Sequence, residues 1–581
     1  MNRKTSDLNN FLFSSAIFLL VFLCLDQALV MASFLSSVKL LPAAFPLSIV
    51  ILLLLLFLLE KTMNTRGKLW TAGISIVSIF IAYLAAAFYF DLSWDGQWYH
   101  QSAIYHMVQD WNPLTEPIRE FEKNNASSIS HFPKASWYFA ASVYSTFGNF
   151  EAGKSMNFIL LIASVFLFYS TLVKLYLNRI KSITVTVLAH LNPVIWSEIT
   201  TYLVDGNLVL YLGIYILVLF AWFRLREKRY LVVGLLAVAG MIDAKFTGLV
   251  FFCVLALGGA IFTFIFYRDQ LLKYIGIHAL AVVFGVVIMG YNPYITNLVE
   301  RGHPFYPIMG TEKYPSVFER TGKDSNEIYE TPHNMMGKPV LVRMFYANFS
   351  RPDNAPYYKE KDAELTWPFV SRISDWSAYH FHETRNSGFG PFFSGIIIFS
   401  VALSIVLFIR EKDKRWLLIL ITASLFGSLL FSKHFWWPRF GPQMYLIPLV
   451  PVVLLLKSKV SKPVRVMLWI CISIAVANGS IVLYEHMDWE TRSSKQLRAQ
   501  LHEIQESGEP IDIFSGYFRK SLEEKLGVYS IQYQEVTRQT VKEGTFTRLV
   551  SVVEGYPNMV MYRVQLPAEV KNPEAGVSVS E

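Results

Sequence analysis

Predominantly apolar runs of about 17–22 residues recur along the whole chain, and no other feature limits its fold as strongly. A run of that length crosses a ~30 Å hydrocarbon core as a helix, and a lone segment in lipid satisfies its backbone polar groups only as a helix. Composition agrees with this reading. Of 581 residues, 53% are hydrophobic and the mean hydropathy is +0.37, too little polar surface for a water-soluble chain of this length. The formal charge of +8 does not point to nucleic acid, because the basic residues sit mainly in short linkers between apolar runs. Cys24, Cys253 and Cys471 all fall inside apolar runs, which excludes a disulfide framework or a Cys-rich metal site.

The expected fold is an all-α polytopic membrane protein of about 13 transmembrane helices with a small α/β C-terminal domain. Spans are expected near 11–32, 40–59, 70–90, 155–174, 182–198, 206–223, 230–243, 246–267, 272–291, 392–409, 416–432, 440–456 and 466–484. The first run, Phe11 to Ala32, follows Asn2-Arg3-Lys4 and reads as a retained anchor rather than a cleaved signal. With a cytoplasmic N-terminus, the linkers on that side hold 22 Lys/Arg against 6 Asp/Glu, and the short outer linkers hold 4 Lys/Arg. That asymmetry sets the expected orientation in the cell (plasma or inner) membrane, with the C-terminal domain extracytoplasmic. The segment 230–267 reads as two short helices turning at Asp243-Ala244-Lys245.

Five parts follow. Residues 1–69 carry two accessory spans, and 70–291 form a seven-helix module that includes an outer loop at 91–154. Residues 292–391 are a large outer loop, 392–484 the last spans, and 485–581 an outer tail. In the tail, Gln496–Gln505 reads helical, while Tyr529–Val536, Phe546–Val553 and Asn558–Val564 read as strands.

Candidate chemistry gathers at outer span ends. Asp95 and Tyr99 lie four apart in Asp91-Leu-Ser-Trp-Asp95-Gly-Gln-Trp-Tyr99-His100-Gln101, so they share a helix face. A carboxylate at the membrane rim, held without a permanent basic partner, suits a general base; the alternative is a helix N-cap. In His131-Phe-Pro133-Lys134, the His and Lys beside a Pro-fixed turn could hold a phosphate, or Lys134 could simply snorkel to headgroups. Asp205 could orient an acceptor, ligate a cation or cap the next helix. Asp243 and Lys245 could neutralise each other, or Lys245 could bind phosphate. Arg439 could grip a phosphate bidentately and Trp436-Trp437 could stack on a sugar, or the pair could form an aromatic belt. Phosphate-loop, His-Glu-x-x-His and Gly-x-Ser-x-Gly motifs are absent, and the histidines lack metal-ligand spacing.

In order and topology these motifs resemble the GT-C glycosyltransferases, nearest to bacterial protein-mannosyltransferase and aminoarabinose-transferase types. The resemblance covers roughly 70–310 and rests on Asp95-Gly-Gln-Trp-Tyr99, on His131-Phe-Pro-Lys134 through Phe147-Gly148, on Asp205-Gly206, and on Arg301-Gly-His-Pro304-Phe-Tyr-Pro307. It implies transfer of a sugar, with inversion, from a polyprenyl-phosphate carrier to an extracytoplasmic acceptor in the envelope. Asp95 would be the base and Asp205 its support, with Tyr99, His100 and Gln101 lining the site. His131, Lys134, Lys245, Arg439 and Trp437 would bind the donor. Partners would be the lipid-linked donor, the acceptor and the bilayer, with no nucleic acid. The absence of Asp-x-Asp after the fifth span departs from the pattern, so no cofactor is certain and a divalent metal stays an open option. The rivals are a polymerase or ligase of undecaprenyl-diphosphate-linked glycans, leaning on Arg301 or Arg439, and a transporter or flippase, for which Asp26 is the one clear mid-span acid.

Overall fold

The computed structural model describes residues 3–36, 41–58, 60–61, 63–109, 111–116, 118, 125–175, 177–322, 324, 326–353, 361–551 and 560–565. The chain opens with α1 (Arg3–Ser36), α2 (Leu41–Leu58) and α3 (Thr65–Phe88). The first loop holds α4 (Gln101–Val108), α5 (Ala126–His131) and α6 (Ala135–Phe147). Next come α7 (Ser155–Lys174), α8 (Arg179–His190), α9 (Pro193–Glu198), α10 (Asp205–Leu225), α11 (Lys228–Ala244), α12 (Phe246–Phe266) and α13 (Leu271–Val282). The second loop carries α14 (Thr296–Arg301), α15 (Val317–Thr321) and α16 (Val340–Phe349). Then follow α17 (Phe393–Arg410), α18 (Arg415–Ser428), α19 (Leu449–Leu456), α20 (Lys462–Ser507), α21 (Arg519–Val528) and α22 (Arg538–Glu543).

Among the described residues, nine helices are long and apolar enough to cross a membrane. They lie on α1, α2, α3, α7, α10, α12, α13 with its continuation to Met289, α17 and α20. The other four expected spans fall on shorter pieces, and the breaks have local causes. Asn192-Pro193 divides 182–198 into α8 and α9, where Asn192 Oδ1 accepts the Val194 N–H and Pro193 opens the new helix. Pro442, Pro448 and Pro451 leave 440–456 as a 3₁₀ turn and the eight-residue α19. α11 and α18 have 17 and 14 residues. The segment 230–267 is two helices, broken by extended backbone at Lys245.

The molecule has two chemically different ends. At one, lysines of the basic linkers close helix ends: Lys181 Nζ donates to the Leu456 carbonyl at 2.5 Å and Lys414 Nζ to Ser458 Oγ at 2.5 Å. At the other, both loops and the tail pack together. Phe90 and Leu92 share an apolar core with Leu497 and Leu501 of α20 and with Ile511, Ile513 and Leu526 of the tail. Gln97 Nε2 donates to the Ser551 carbonyl at 2.5 Å, and Tyr144 donates to Glu524 at 2.5 Å.

The tail contains a four-stranded sheet ordered β2-β1-β4-β3, from β1 (Ile511–Phe514), β2 (Tyr533–Glu535), β3 (Thr547–Arg548) and β4 (Met561–Val564). β1 and β2 are parallel, joined through α21, and β4 is antiparallel to β1 and β3. Three corrections follow. β1 is a strand where none is expected, β2 forms only at the end of Tyr529–Val536, and β3 covers two residues of Phe546–Val553. Residues 552–553 and 558–559, at the facing ends of the two later stretches, lie outside the described residues.

Candidate active site

The site is built on a buried acid. Asp91, just past α3, is fully enclosed. Its Oδ1 accepts the Ser93 N–H at 2.8 Å and the Ser93 hydroxyl at 2.6 Å, and its Oδ2 accepts the Tyr202 N–H at 2.7 Å. Burial holds this carboxyl above the usual carboxylate range, against the opposing charge of Lys154. Asp91 therefore pins the first loop to the turn before α10. The chain then passes directly over it: a Cβ on Gly96 would stand 2.1 Å from Asp91 Oδ2. Only glycine allows that approach. The tight turn carries Asp95 out to the far side.

Asp95 makes no side-chain cap bond to the helical turn that follows, so the N-cap alternative fails. It pairs instead with Arg439 Nη2. The same guanidinium reaches Asp205 through Nε at 3.1 Å and Glu383 through Nη1 at 2.6 Å. Lys245, freed by the break between α11 and α12, bonds Asp205 from the other side at 2.6 Å. The expected Asp243–Lys245 neutralisation is thus replaced, and Asp243 accepts from Gln27 instead. The expectation that Asp95 lacks a basic partner is also corrected: Arg439, distant in sequence, supplies one.

Three carboxylates converge on two cations at this cluster. Asp205 is 1% exposed, while Asp95, Glu383 and Lys245 are 21%, 17% and 24% exposed, so the cluster opens to water along their edge. Gly206, beside Asp205, donates its N–H to Glu198 at 2.8 Å, which seats the start of α10. Trp437 donates its indole N–H to the Glu383 carbonyl at 3.1 Å, fixing the second loop against the site. Arg385 stacks on Trp437 with its guanidinium 4.8 Å from the ring and pairs with Glu330. Burial raises the Glu330 carboxyl despite that pairing.

Tyr99 and His100 stack together behind Asp95, ring centroids 4.3 Å apart. Burial, then the adjacent Asp95 charge, holds the Tyr99 phenol well above its usual value. Burial and the charge of Arg439 push His100 down to about 3, so its ring is neutral at pH 7. His100 Nδ1 accepts the Trp137 indole N–H at 2.6 Å, which leaves the proton on Nε2. That Nε2 has no hydrogen-bond partner among the described residues.

The remaining candidates stand apart. Lys134 is fully buried and donates to the carbonyls of Ser130 at 2.9 Å and Phe132 at 2.8 Å; burial brings its pKa down to about 7. His131 Nδ1 bonds Asn297 Oδ1 at 2.7 Å, and burial pushes the ring down to about 4. Gln101 faces Glu151 at 3.4 Å. Two of the three Lys134 donors and the His131 Nδ1 are thus engaged within the protein, away from the Arg439 cluster. The cluster adds Glu383, Arg385 and Glu330 to the residues singled out from the sequence.

A cavity of about 740 Å³ begins at Ile195 and Val209, one turn into α10 from Asp205. It runs between α7, α8, α10, α12 and α18 to Arg224, Lys414 and Lys457 at the basic end. Its wall is overwhelmingly aliphatic and aromatic.

Among the described residues, two groups of side chains could hold a cation: Asp324, Glu327 and His434; and His382, His486 and Glu490. The first is already neutralised by Lys433 and Arg343.

Fold and composition define the class of this chain, a multi-pass membrane protein with a small sheet-containing C-terminal unit. No family model, curated protein or solved structure matches it.

Proposed function

We propose that the chain is a membrane glycosyltransferase of the GT-C kind, moving a sugar from a polyprenyl-phosphate carrier to an extracytoplasmic acceptor at the Asp95–Arg439–Asp205 cluster. One observation carries this reading above the others: a carboxylate and a guanidinium in direct contact, partly open to water, meet beside Asp205, one turn of α10 from Val209, where a long apolar cavity begins. A lipid-linked phosphate has the same two-part chemistry, an apolar chain and an anionic head. The phosphate takes the place of Asp95 on Arg439, whose planar fork matches two of its oxygens. Lys245 adds a second positive charge. Asp95, released by this exchange, accepts the proton of the acceptor hydroxyl as that oxygen attacks the anomeric carbon. The sugar–phosphate bond breaks on the opposite face, giving inversion, and the cations stabilise the departing phosphate.

The polymerase or ligase reading gains less support, because Arg301 packs on Tyr306 and Tyr314 away from the cluster. For a transporter, Asp26 would have to be a working acid, yet it accepts from Ser142 at 2.9 Å in a closed interior. The test is binding of a polyprenyl monophosphate to the detergent-solubilised protein, read as a thermal shift. Arg439→Ala is expected to abolish the shift and Asp95→Asn to keep or enlarge it. An undiminished shift in Arg439→Ala counts against this assignment.

A further inference from the structure

We infer that His382, His486 and Glu490 form a buried zinc site that clamps the second loop to α20. His486 and Glu490 are four residues apart, on one face of α20. His382 arrives from the second loop, and its Nε2 lies 2.5 Å from Glu490 Oε1. The donor atoms of all three lie within 4.8 Å of one another. A tetrahedral zinc with bonds of ~2.0–2.1 Å needs its donors about 3.4 Å apart, so shifts of under about 1.5 Å bring them to bonding positions.

Hydrogen bonding alone does not account for this cluster. All three side chains are buried, His486 and Glu490 at 0% exposure. A proton shared between His382 and Glu490 would satisfy one contact only. Neither ring nitrogen of His486 completes a well-formed hydrogen bond among the described residues, and neither does Glu490 Oε2; their contacts to the Tyr379 backbone and the Thr200 hydroxyl are loose ones. A buried imidazole so weakly partnered is costly, and a cation at the centre removes that cost. The surroundings supply outer contacts: the Tyr379 carbonyl lies beside the His486 ring and the Thr200 hydroxyl beside Glu490. The charges of Asp91, Glu383, Lys154 and Arg439 lie close enough to act on His382.

Two nitrogens and one carboxylate oxygen form a ligand set that zinc accepts, with a water as the fourth ligand. The enclosure argues for a structural rather than a reactive ion. Its effect on the neighbouring cluster is direct, because the residue after His382 is Glu383, bonded to Arg439 at 2.6 Å. The ion would hold that loop residue in place, and His382 would act as a positioning residue. The inference stands whether or not the transfer chemistry above is correct.

The test is elemental analysis of the full chain, purified in detergent without chelators. About one zinc per chain is expected, falling below about a fifth in His486→Ala and in Glu490→Gln, with wild-type content in His434→Ala. Cobalt added to metal-stripped protein should give a visible absorption band that His382→Ala lacks, with the elution profile unchanged. The wild-type measurement does not depend on how the variants fold. Protein that contains no zinc and whose melting temperature does not rise on adding zinc chloride would overturn the assignment. So would full zinc content in both His486→Ala and Glu490→Gln.

Discussion

Gly96→Ala tests how the first loop is aimed. The new Cβ would lie 2.1 Å from Asp91 Oδ2 and 2.3 Å from Ser93 Oγ. Carbon and oxygen approach to about 3.3 Å at closest, so the carboxylate must retreat by about 1 Å. That breaks the 2.7 Å bond from Tyr202 N–H and disturbs the 2.6 Å bond from Ser93. A hydrogen bond to a charged group is worth about 1.5–3 kcal/mol, so the substitution should cost about 3–5 kcal/mol. The assay is denaturant unfolding in mixed micelles, for Gly96→Ala, Asp91→Ala and the double variant. Because Asp91→Ala removes the obstructing carboxylate, the second substitution should cost much less in the double variant, a coupling of about 2 kcal/mol. A Gly96→Ala protein within about 0.5 kcal/mol of the parent would refute this account of the turn.

Lys245→Ala leaves the buried Asp205 with Arg439 alone; a loss of about 1–3 kcal/mol is expected in the same unfolding assay, with Lys245→Arg losing less. Leu501→Ala empties a fully buried position between α20 and the tail, and should cost about 2–5 kcal/mol and speed proteolysis of residues after 508. Stability should fall with acidity in one window. His100 and His131 titrate near 3 and 4 when folded, against 6.5 unfolded, so below pH 6.5 the unfolded chain takes up protons that the folded chain refuses. His131→Asn should flatten the stability profile between pH 6.5 and 4 by about one proton, and an unchanged slope would contradict the burial of that ring.

The sequence already marks the residues of the cluster that sit at span ends, because a carboxylate or guanidinium there must find water or a partner. Asp95, Asp205, Lys245 and Arg439 were legible for that reason, and the structure brings all four together. Their pairing was not, since Asp95 and Arg439 meet only through the packing of the first loop against the chain before α19. Glu383, Arg385 and Glu330 lie in a loop of about 100 residues whose pattern carries no period, so no local signal sets them apart from its other charges. Lys134 misleads because a Pro-Lys turn looks the same in sequence whether the amine points outward or, as here, folds back onto its own carbonyls. The zinc ligands are hidden similarly: a His and a Glu four apart are common on helices, and the third ligand is some 100 residues away. Helix count suffers from a different blindness, as hydropathy does not register the breaks at Pro193 and Pro442, whereas the turn at Asp243-Ala244-Lys245 was visible.

Asp95→Asn asks whether Asp95 removes a proton once a phosphate has taken Arg439 from it. Purified protein in vesicles would be given a polyprenyl-phosphate-linked radiolabelled sugar together with an envelope extract as acceptor, and release of label from the lipid followed. The account predicts that Asp95→Asn binds the carrier as the parent does and transfers sugar about 10²–10⁴-fold more slowly. Transfer within about twofold of the parent would contradict it.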